Sequence, residues 1–495
     1  MQRQISFTYY RTPLIMKLKY LPAKVTIACL VLLATVNIKA NAQEVITLQK
    51  AVDRALDRNL TIKQAQFTEA LSTEDYKQSK YNRLPAFSAG PQASYNFGRY
   101  LDPSTNQFAN QKTLTVNGSV NGQVILFQGG QLRNQIIQNR ILVDVDKSNT
   151  AKIKNDLILS VVTQYLTILT NQDLVTAAKQ QIEISKLALD RAQKQYDAGN
   201  QTLADLSQAK AQQSTNELNL TNAQNQLDLS VLILKQYMEM NPLEEITVEK
   251  PDISKLNDIK TVYNEADLLK SALEINPDVK LAQTRQLAAE QYIKIVKGGY
   301  YPSLALFGSA GSNFSDARRL FGGVVPNGRT DTVGFVQPNN QAVTVPGFDQ
   351  IQGKYPFFRQ ISDNFYQSVG ISLQIPIFSR FQTRTNVRKA KINYENAAVN
   401  TQIAKNNLSK IIIQAVYDLR AAEKRLVSTT QTYQANKDAF NTVQQRFNVG
   451  LVNSLDYNTS LTNLNKSQFD LINARYEVVF RSKVIDYYLG NPITL

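Results

Sequence analysis

Two aspartates share one setting. Asp205 closes "GNQTLAD" (199–205) and Asp456 closes "GLVNSLD" (450–456), each six residues after a glycine. A carboxylate at that distance from a chain reversal suits the first turn of the next helix, where it meets the positive end of the helix dipole. Around them there is little else to build a reaction. The chain has no His, which removes the usual proton shuttle near neutral pH and the commonest metal ligand. No nucleophile–base pair stands out. The only cysteine, Cys29, lies in an apolar run near the N-terminus.

That run, "VTIACLVLLATV" (25–36), follows Lys17, Lys19 and Lys24 and precedes "ANA" (40–42). The pattern predicts an exported chain with a signal peptide over 1–42. At about a dozen residues the run is short of the ~20 a spanning helix needs. Beyond it no cysteine remains, so neither a disulfide nor thiol chemistry is expected. The charge falls from +15 to +9, because six basic and no acidic residues leave with the leader. The remaining charges are scattered and not clustered with aromatics, which argues against nucleic acid.

The glycines that precede the two aspartates punctuate very long stretches without Gly or Pro. These are Gln131–Ala198 before Gly199 and Arg380–Val449 before Gly450. Each predicts a helix of roughly 100 Å that turns back into a shorter antiparallel partner, 202–239 or 453–489. A glycine is the residue of choice where the reversal needs φ > 0. Gln201 or Thr202 and Asn453 or Ser454 are the candidate N-caps.

The chain is written twice. An offset of 251 carries Gly199 onto Gly450, Asp205 onto Asp456, Phe127 onto Phe378 and Tyr237 onto Tyr488. Nearer the start the offset is 217: "ALDRNL" (55–60) falls on "ALEINP" (272–277) and Leu84-Pro85 on Tyr301-Pro302. The 34-residue difference is an insertion in the second copy, in a Gly-, Pro- and Asn-rich region that reads as a long loop, 315–364. The expected division is a first repeat over 43–239 with a β-hairpin at 86–127. A linker follows at 240–262, then a second repeat over 263–495 with a β-hairpin at 302–378.

Both hairpins alternate apolar and polar residues. Phe87, Ala89, Ala93 and Tyr95 oppose Ser88, Gln92 and Ser94; Val369, Ile371 and Leu373 oppose Ser368, Ser372 and Gln374. Such strands suit a membrane β-barrel with lipid outside and water inside. Pro91 and Pro376 point to edges, bulges or strand ends. Four strands cannot close a barrel, whose smallest membrane form has about eight, so several copies of the chain are needed.

The order helix, strand, strand, long helix, tip, return helix, written twice, resembles the TolC-like outer membrane efflux protein family over nearly the whole chain. "LLKSALEINPDV" (268–279) and "TLQKAVDRALDRNL" (47–60) are similar to its opening motif, and the two glycine-aspartate segments to its periplasmic tips. The resemblance implies an α+β membrane protein: a homotrimer with a twelve-stranded β-barrel in outer membrane lipid and a tunnel of long helical hairpins across the periplasm. It implies the exit duct of a tripartite pump or a type I secretion system, with no catalysis or cofactor. Its partners would be a periplasmic adaptor and an inner-membrane transporter. It further implies a periplasmic gate at Asp456, with Thr459 where members carry a second aspartate, and Asp205 in the other tip. Gly199, Asn200, Gly450, Leu451 and Val452 become adaptor-contacting tip residues; Val452 replaces an arginine that latches some members' tips. A trimeric coiled-coil surface adhesin or structural protein with a β-barrel anchor is the other reading.

Overall fold

The computed structural model describes residues 44–102, 106–110, 112–250 and 263–491. The expected leader and the later part of the 240–262 linker lie outside these residues. The first half contains β1 (Glu44–Ile46), α1 (Leu48–Arg58), α2 (Leu60–Tyr81), β2 (Ala86–Asn96), β3 (Arg99–Asp102), β4 (Gln107–Asn110) and β5 (Thr113–Gln128). Helices α3 (Gln131–Asp197) and α4 (Leu203–Tyr237) follow, then β6 (Ile246–Val248). The second half contains α5 (Glu265–Ile275), α6 (Pro277–Lys297), β7 (Ser303–Ser315), β8 (Arg319–Val336), β9 (Gln341–Lys354), α7 (Phe357–Asp363), β10 (Tyr366–Gln374), α8 (Gln382–Asn448) and α9 (Ser454–Tyr488).

The repeat governs element boundaries. Shifting α3 and α4 by 251 gives the first and last residues of α8 and α9, and shifting α1 by 217 gives those of α5. The same local chemistry recurs. Asn59 and Asn276 each end one helix and start the next, the side-chain oxygen accepting from the backbone N–H groups two and three residues on. The turn from strand to long helix needs two left-handed residues in both copies. The first copy uses Gly129 and Gly130; the second uses Arg380 and Phe381, at φ 51 and 60. Non-glycine residues rarely adopt this conformation.

The helices form a layer four across. In one half of the long helices, α6 packs between α3 and α8, with α2 on the far side of α3; in the other half α9 takes the place of α6 and α4 that of α2. Two apolar clusters hold the layer near its middle. One joins Val161, Tyr165, Leu169, Leu234, Met238 and Val479; the other joins Leu268, Ala272, Ile412, Leu419 and Ile485. Each fully buried aliphatic side chain contributes about 1.5–3 kcal/mol. Across the first cluster β1 and β6 pair in parallel, and the Tyr165 hydroxyl donates to the carbonyls of Ile46 (3.2 Å) and Glu249 (2.7 Å). The linker therefore begins as a clamp on α3.

The four long-range strands form one antiparallel sheet in the order β10-β7-β5-β2. Its register aligns the apolar parity of all four. Phe87 faces Gly122, Gly122 faces Gly308 and Gly308 faces Val369; Val124 faces Leu306, which faces Ile371. The other face carries Ser88, Asn121, Ser309 and Ser368 in one row, with a Ser309–Ser368 hydroxyl pair at 2.7 Å. The apolar face is open: Phe87, Val369, Ile371 and Leu373 are exposed. So are the sheet's two edges, β2 and β10. Pro91 lies within the edge strand β2, where its missing N–H is tolerated. Pro376 lies past the end of β10, and Ile375 and Ile377 with it, so the second hairpin's strand is shorter than its alternation suggests.

Two features depart from the sequence reading. The strand count exceeds four, because three two-stranded sheets accompany the main one. And residues 315–364 are mostly not loop: β8 and β9 form a long antiparallel ribbon, returned to the sheet by α7. Glycines and prolines concealed it. Gly322-Gly323 and Asn327–Arg329 sit at bulges of β8 that break the alternation.

Candidate functional site at the helical tips

Gly199 and Gly450 both adopt φ +75, and a Cβ at either would meet no atom within 4 Å. Their role is conformational. The N–H of Gly199 bonds to the carbonyl of Tyr196 and that of Asn200 to Gln195; the N–H of Gly450 bonds to Phe447 and that of Leu451 to Arg446. This paired pattern is the Schellman termination, which satisfies the last carbonyls of a helix and turns the chain sharply. Asn200 and Leu451 are exposed and Val452 is half-buried. Val449, Leu451 and Leu455 give the second tip an exposed apolar end.

The return helices then start differently. In the first tip Thr202 is the N-cap. Its hydroxyl accepts from the Asp205 N–H, and the Asp205 carboxylate accepts from the Thr202 N–H, a complete capping box. In the second tip Asn453 is the N-cap and accepts from the Asp456 N–H at 2.8 Å. Gln201 and Ser454 do not cap.

Ser454 bridges the tips instead: its hydroxyl donates to the Asp205 carboxylate, across from one tip to the other. That bond, with the Thr202 contacts, holds the Asp205 pKa below its ordinary value of 3.8. Arg191 on α3 reaches Asn448 at the end of α8, a second tie between the tips. Asp456 is exposed, and its carboxylate has no hydrogen bond or ion pair among the described residues. Thr459, one turn on, is exposed too and donates its hydroxyl to the Leu455 carbonyl at 2.8 Å. Of the sequence-derived candidates, then, Asp205 is committed to structure, whereas Asp456 projects freely.

Beneath Asp456 the second tip is locked by aromatics. Tyr457 stacks on Phe447 with ring centroids 4.6 Å apart and meets Phe440 at 5.5 Å. Ile184 and Ala188 of α3 pack against this group. Burial pushes the Tyr457 phenol pKa up. In the first tip the equivalent position is Leu206, also buried. The sequence reading missed Arg191 and Tyr457 as tip residues, and took Ser454 only as a candidate cap and not as the tie to Asp205. Only Tyr457 left a signal, as an aromatic beside the repeated aspartate.

Among the described residues no group of three or more acidic, Cys or His residues is placed to hold a metal ion, and no helix is long and apolar enough to cross a membrane. The second statement says nothing of the sheet.

The family model described as "Outer membrane efflux protein" matches residues 51–238 and 268–491. The outer membrane protein TolC of Escherichia coli (strain K12) is 22% identical over 424 residues, covering 84% of this chain and 76% of its own. The outer membrane efflux protein BepC of Brucella suis is 21% identical over 459 residues, covering 93% and 88%. Among solved structures, CusC superposes with a TM-score of 0.72 at 14% identity, covering 90% of this chain and 92% of its own. VceC of Vibrio cholerae gives 0.68 at 16%, covering 90% and 96%. The family match spans both repeats, the long helices and the sheet between them: the chain belongs to the outer membrane efflux protein family, and is a channel protein of the outer membrane of a Gram-negative bacterium.

Proposed function

We propose that this chain is the exit duct of a tripartite efflux or type I secretion system, a homotrimer that conducts cargo passively and catalyses nothing. The observation that carries the reading is the pair of open edges. An antiparallel sheet of four strands presents edges of opposite direction, so β10 of one copy can continue onto β2 of the next with the alternation intact. Three copies make twelve strands, with the exposed apolar face toward lipid and the Ser/Asn face toward water. The four-across helical layer closes by the same operation into a twelve-helix tunnel.

The repeats 43–239 and 263–495 are then the two similar halves of each protomer's wall, with 240–262 part of a belt at mid-height. At the far end three Asp456 carboxylates, held out on rigid first turns, approach the axis. A ring of unpaired carboxylates in a narrow throat attracts cations and repels anions. Thr459 dilutes that ring and Asp205 braces the tips without joining it. The exposed Val449, Leu451 and Leu455, with Gly199, Asn200, Gly450 and Val452 shaping the turns, suit the periplasmic adaptor, which links the duct to an inner-membrane transporter. No observation favours the adhesin reading over this one. Mass measurement of the detergent-solubilised protein tests the assembly: three chains are expected, and a single chain that still inserts into bilayers would overturn it.

A further inference from the structure

The β8–β9 ribbon is the one large element the channel does not use. Its strands run 18 and 14 residues, and β9 alone extends about 45 Å. That exceeds the ~9–11 residues a barrel strand needs. It has no extended contact with any other described element. A lone two-stranded ribbon is marginal in water. Yet this one exposes Phe321, Val324, Val325, Val333, Phe335, Phe348 and Ile351.

Its register sorts them. One face carries Phe321, Val324, Pro326, Phe348 and Phe335 among Gln350, Gln352, Thr330, Thr332 and Thr344; among its paired positions charge stands only at the foot, where Arg319 pairs with Lys354. The other face carries Leu320, Val325, Ile351, Val345, Val343 and Val336, interrupted by the carboxylates of Asp331 and Asp349. A barrel strand would be apolar on one side only, so this is not channel wall.

The foot is rigid and lies on the sheet edge. Past the last β10–β7 pair, α7 takes over the edge of β7. Buried Gln360 bonds both the N–H and the carbonyl of Ser315, Asn364 donates to the Asn313 carbonyl at 2.7 Å, and Ser312 donates to the Ile361 carbonyl at 2.6 Å. Phe357 packs on Phe314 with ring centroids 4.9 Å apart. The ribbon therefore rises from β7 and β10, and β10 is the strand that meets the next copy in the trimer proposed above, on which this inference rests.

We propose that the occupant of the phenylalanine face is the same face of the other two copies: three ribbons converge on the three-fold axis beyond the barrel mouth and form an outer cap packed through its phenylalanines. Continuity with the inter-copy edge brings the three faces together, and their uncharged upper parts let them meet. The Arg319 and Lys354 feet stay apart on the barrel rim. The face with Asp331 and Asp349 is left to water.

Single cysteines test this. Phe335→Cys and Phe348→Cys lie on the proposed contact face, and Val343→Cys lies on the opposite face. Each purified variant is first weighed in its native state, then treated with a three-armed maleimide. The expected result is a native mass of three chains for all, with a covalent three-chain product for Phe335→Cys and Phe348→Cys only. A three-chain native mass without that product overturns the cap and leaves the barrel standing; a one-chain mass overturns the barrel reading and the cap with it. A covalent product with a cysteine of another polypeptide, with no three-chain product, assigns the face to a different partner and also overturns the cap. As a second readout, the triple change Phe321→Ser, Phe335→Ser, Phe348→Ser should keep the native mass and raise the rate of proteolytic nicking of the ribbon several-fold. An unchanged rate means the ribbons were never in contact.

Discussion

The two tips are the same turn with different fastenings. Both end a 67-residue helix in a left-handed glycine and restart from a side-chain cap. The first then consumes its aspartate in the capping box and in the bond from Ser454. The second leaves its aspartate exposed and fixes itself instead through Tyr457, Phe447 and Phe440. Duplication supplied two carboxylates at one position; the apolar lock beneath the second tip frees its carboxylate from structural duty. In the proposed gate, a carboxylate that acts on passing ions has to be held by something other than its own charge.

Breaking the lock should have the largest effect on the tips. Tyr457→Ala removes a buried aromatic and is expected to cost about 3–5 kcal/mol locally. Amide hydrogen exchange should rise by orders of magnitude around 440–461, while the first tip keeps more of its protection. Leu206→Ala is the matched change, worth about 2–5 kcal/mol and centred on the first tip. Equal loosening of both tips by either variant would mean they fold as one unit.

The turns come next. A Cβ at Gly199 or Gly450 meets no atom within 4 Å, so Gly199→Val and Gly450→Val cost chiefly backbone strain, about 1–2 kcal/mol or more for a β-branched residue. The two should cost alike by hydrogen exchange at the adjoining turns. A large difference would show that one tip relaxes out of the left-handed turn.

The Asp205–Ser454 bond is weaker and depends on pH. A carboxyl whose folded pKa is depressed stabilises the fold above its unfolded value, near 3.9, and that contribution fades as pH falls through the lower folded value. Protection factors at both tips, taken relative to the intrinsic exchange rate at each pH, should therefore fall on acidification below about pH 4. Asp205→Asn should be looser at neutral pH and lose this particular acid dependence. If the variant titrates like the parent, other carboxylates control the tips.

Asp456→Ala should have the smallest effect on stability, about 0.3–1 kcal/mol, the contribution of an exposed carboxylate in the first turn of a helix. Its expected effect is on conduction. Single-channel recording should show weaker cation selectivity and weaker block by multivalent cations, with Asp205→Ala changing both less. Unchanged selectivity in Asp456→Ala would reduce this residue to a helix start.

Much of this was legible because repetition checks itself. The glycines, the helix limits and the shift from 217 to 251 follow from the letters, and alternation gave the faces of β2 and β10. What stayed hidden is non-local or irregular. Nothing near Glu44–Ile46 announces a strand partner some two hundred residues on. Ser454 replaces Leu203 of the first copy, so the repeat carried no hint of its bond to Asp205. The ribbon's Gly-Gly and Asn-Gly bulges read as loop because they break the two-residue period on which strand recognition depends.

The clamp at Tyr165 sets a mechanical ratio. From Tyr165 to the end of α3 the helix runs about 48 Å. A pivot of roughly 5° at that hydroxyl sweeps the tip through about 4 Å, further than the reach of a hydrogen bond. The fastening of Asp205 to Ser454 thus sits at the long arm of a lever, and a small tilt at mid-height is enough to undo it.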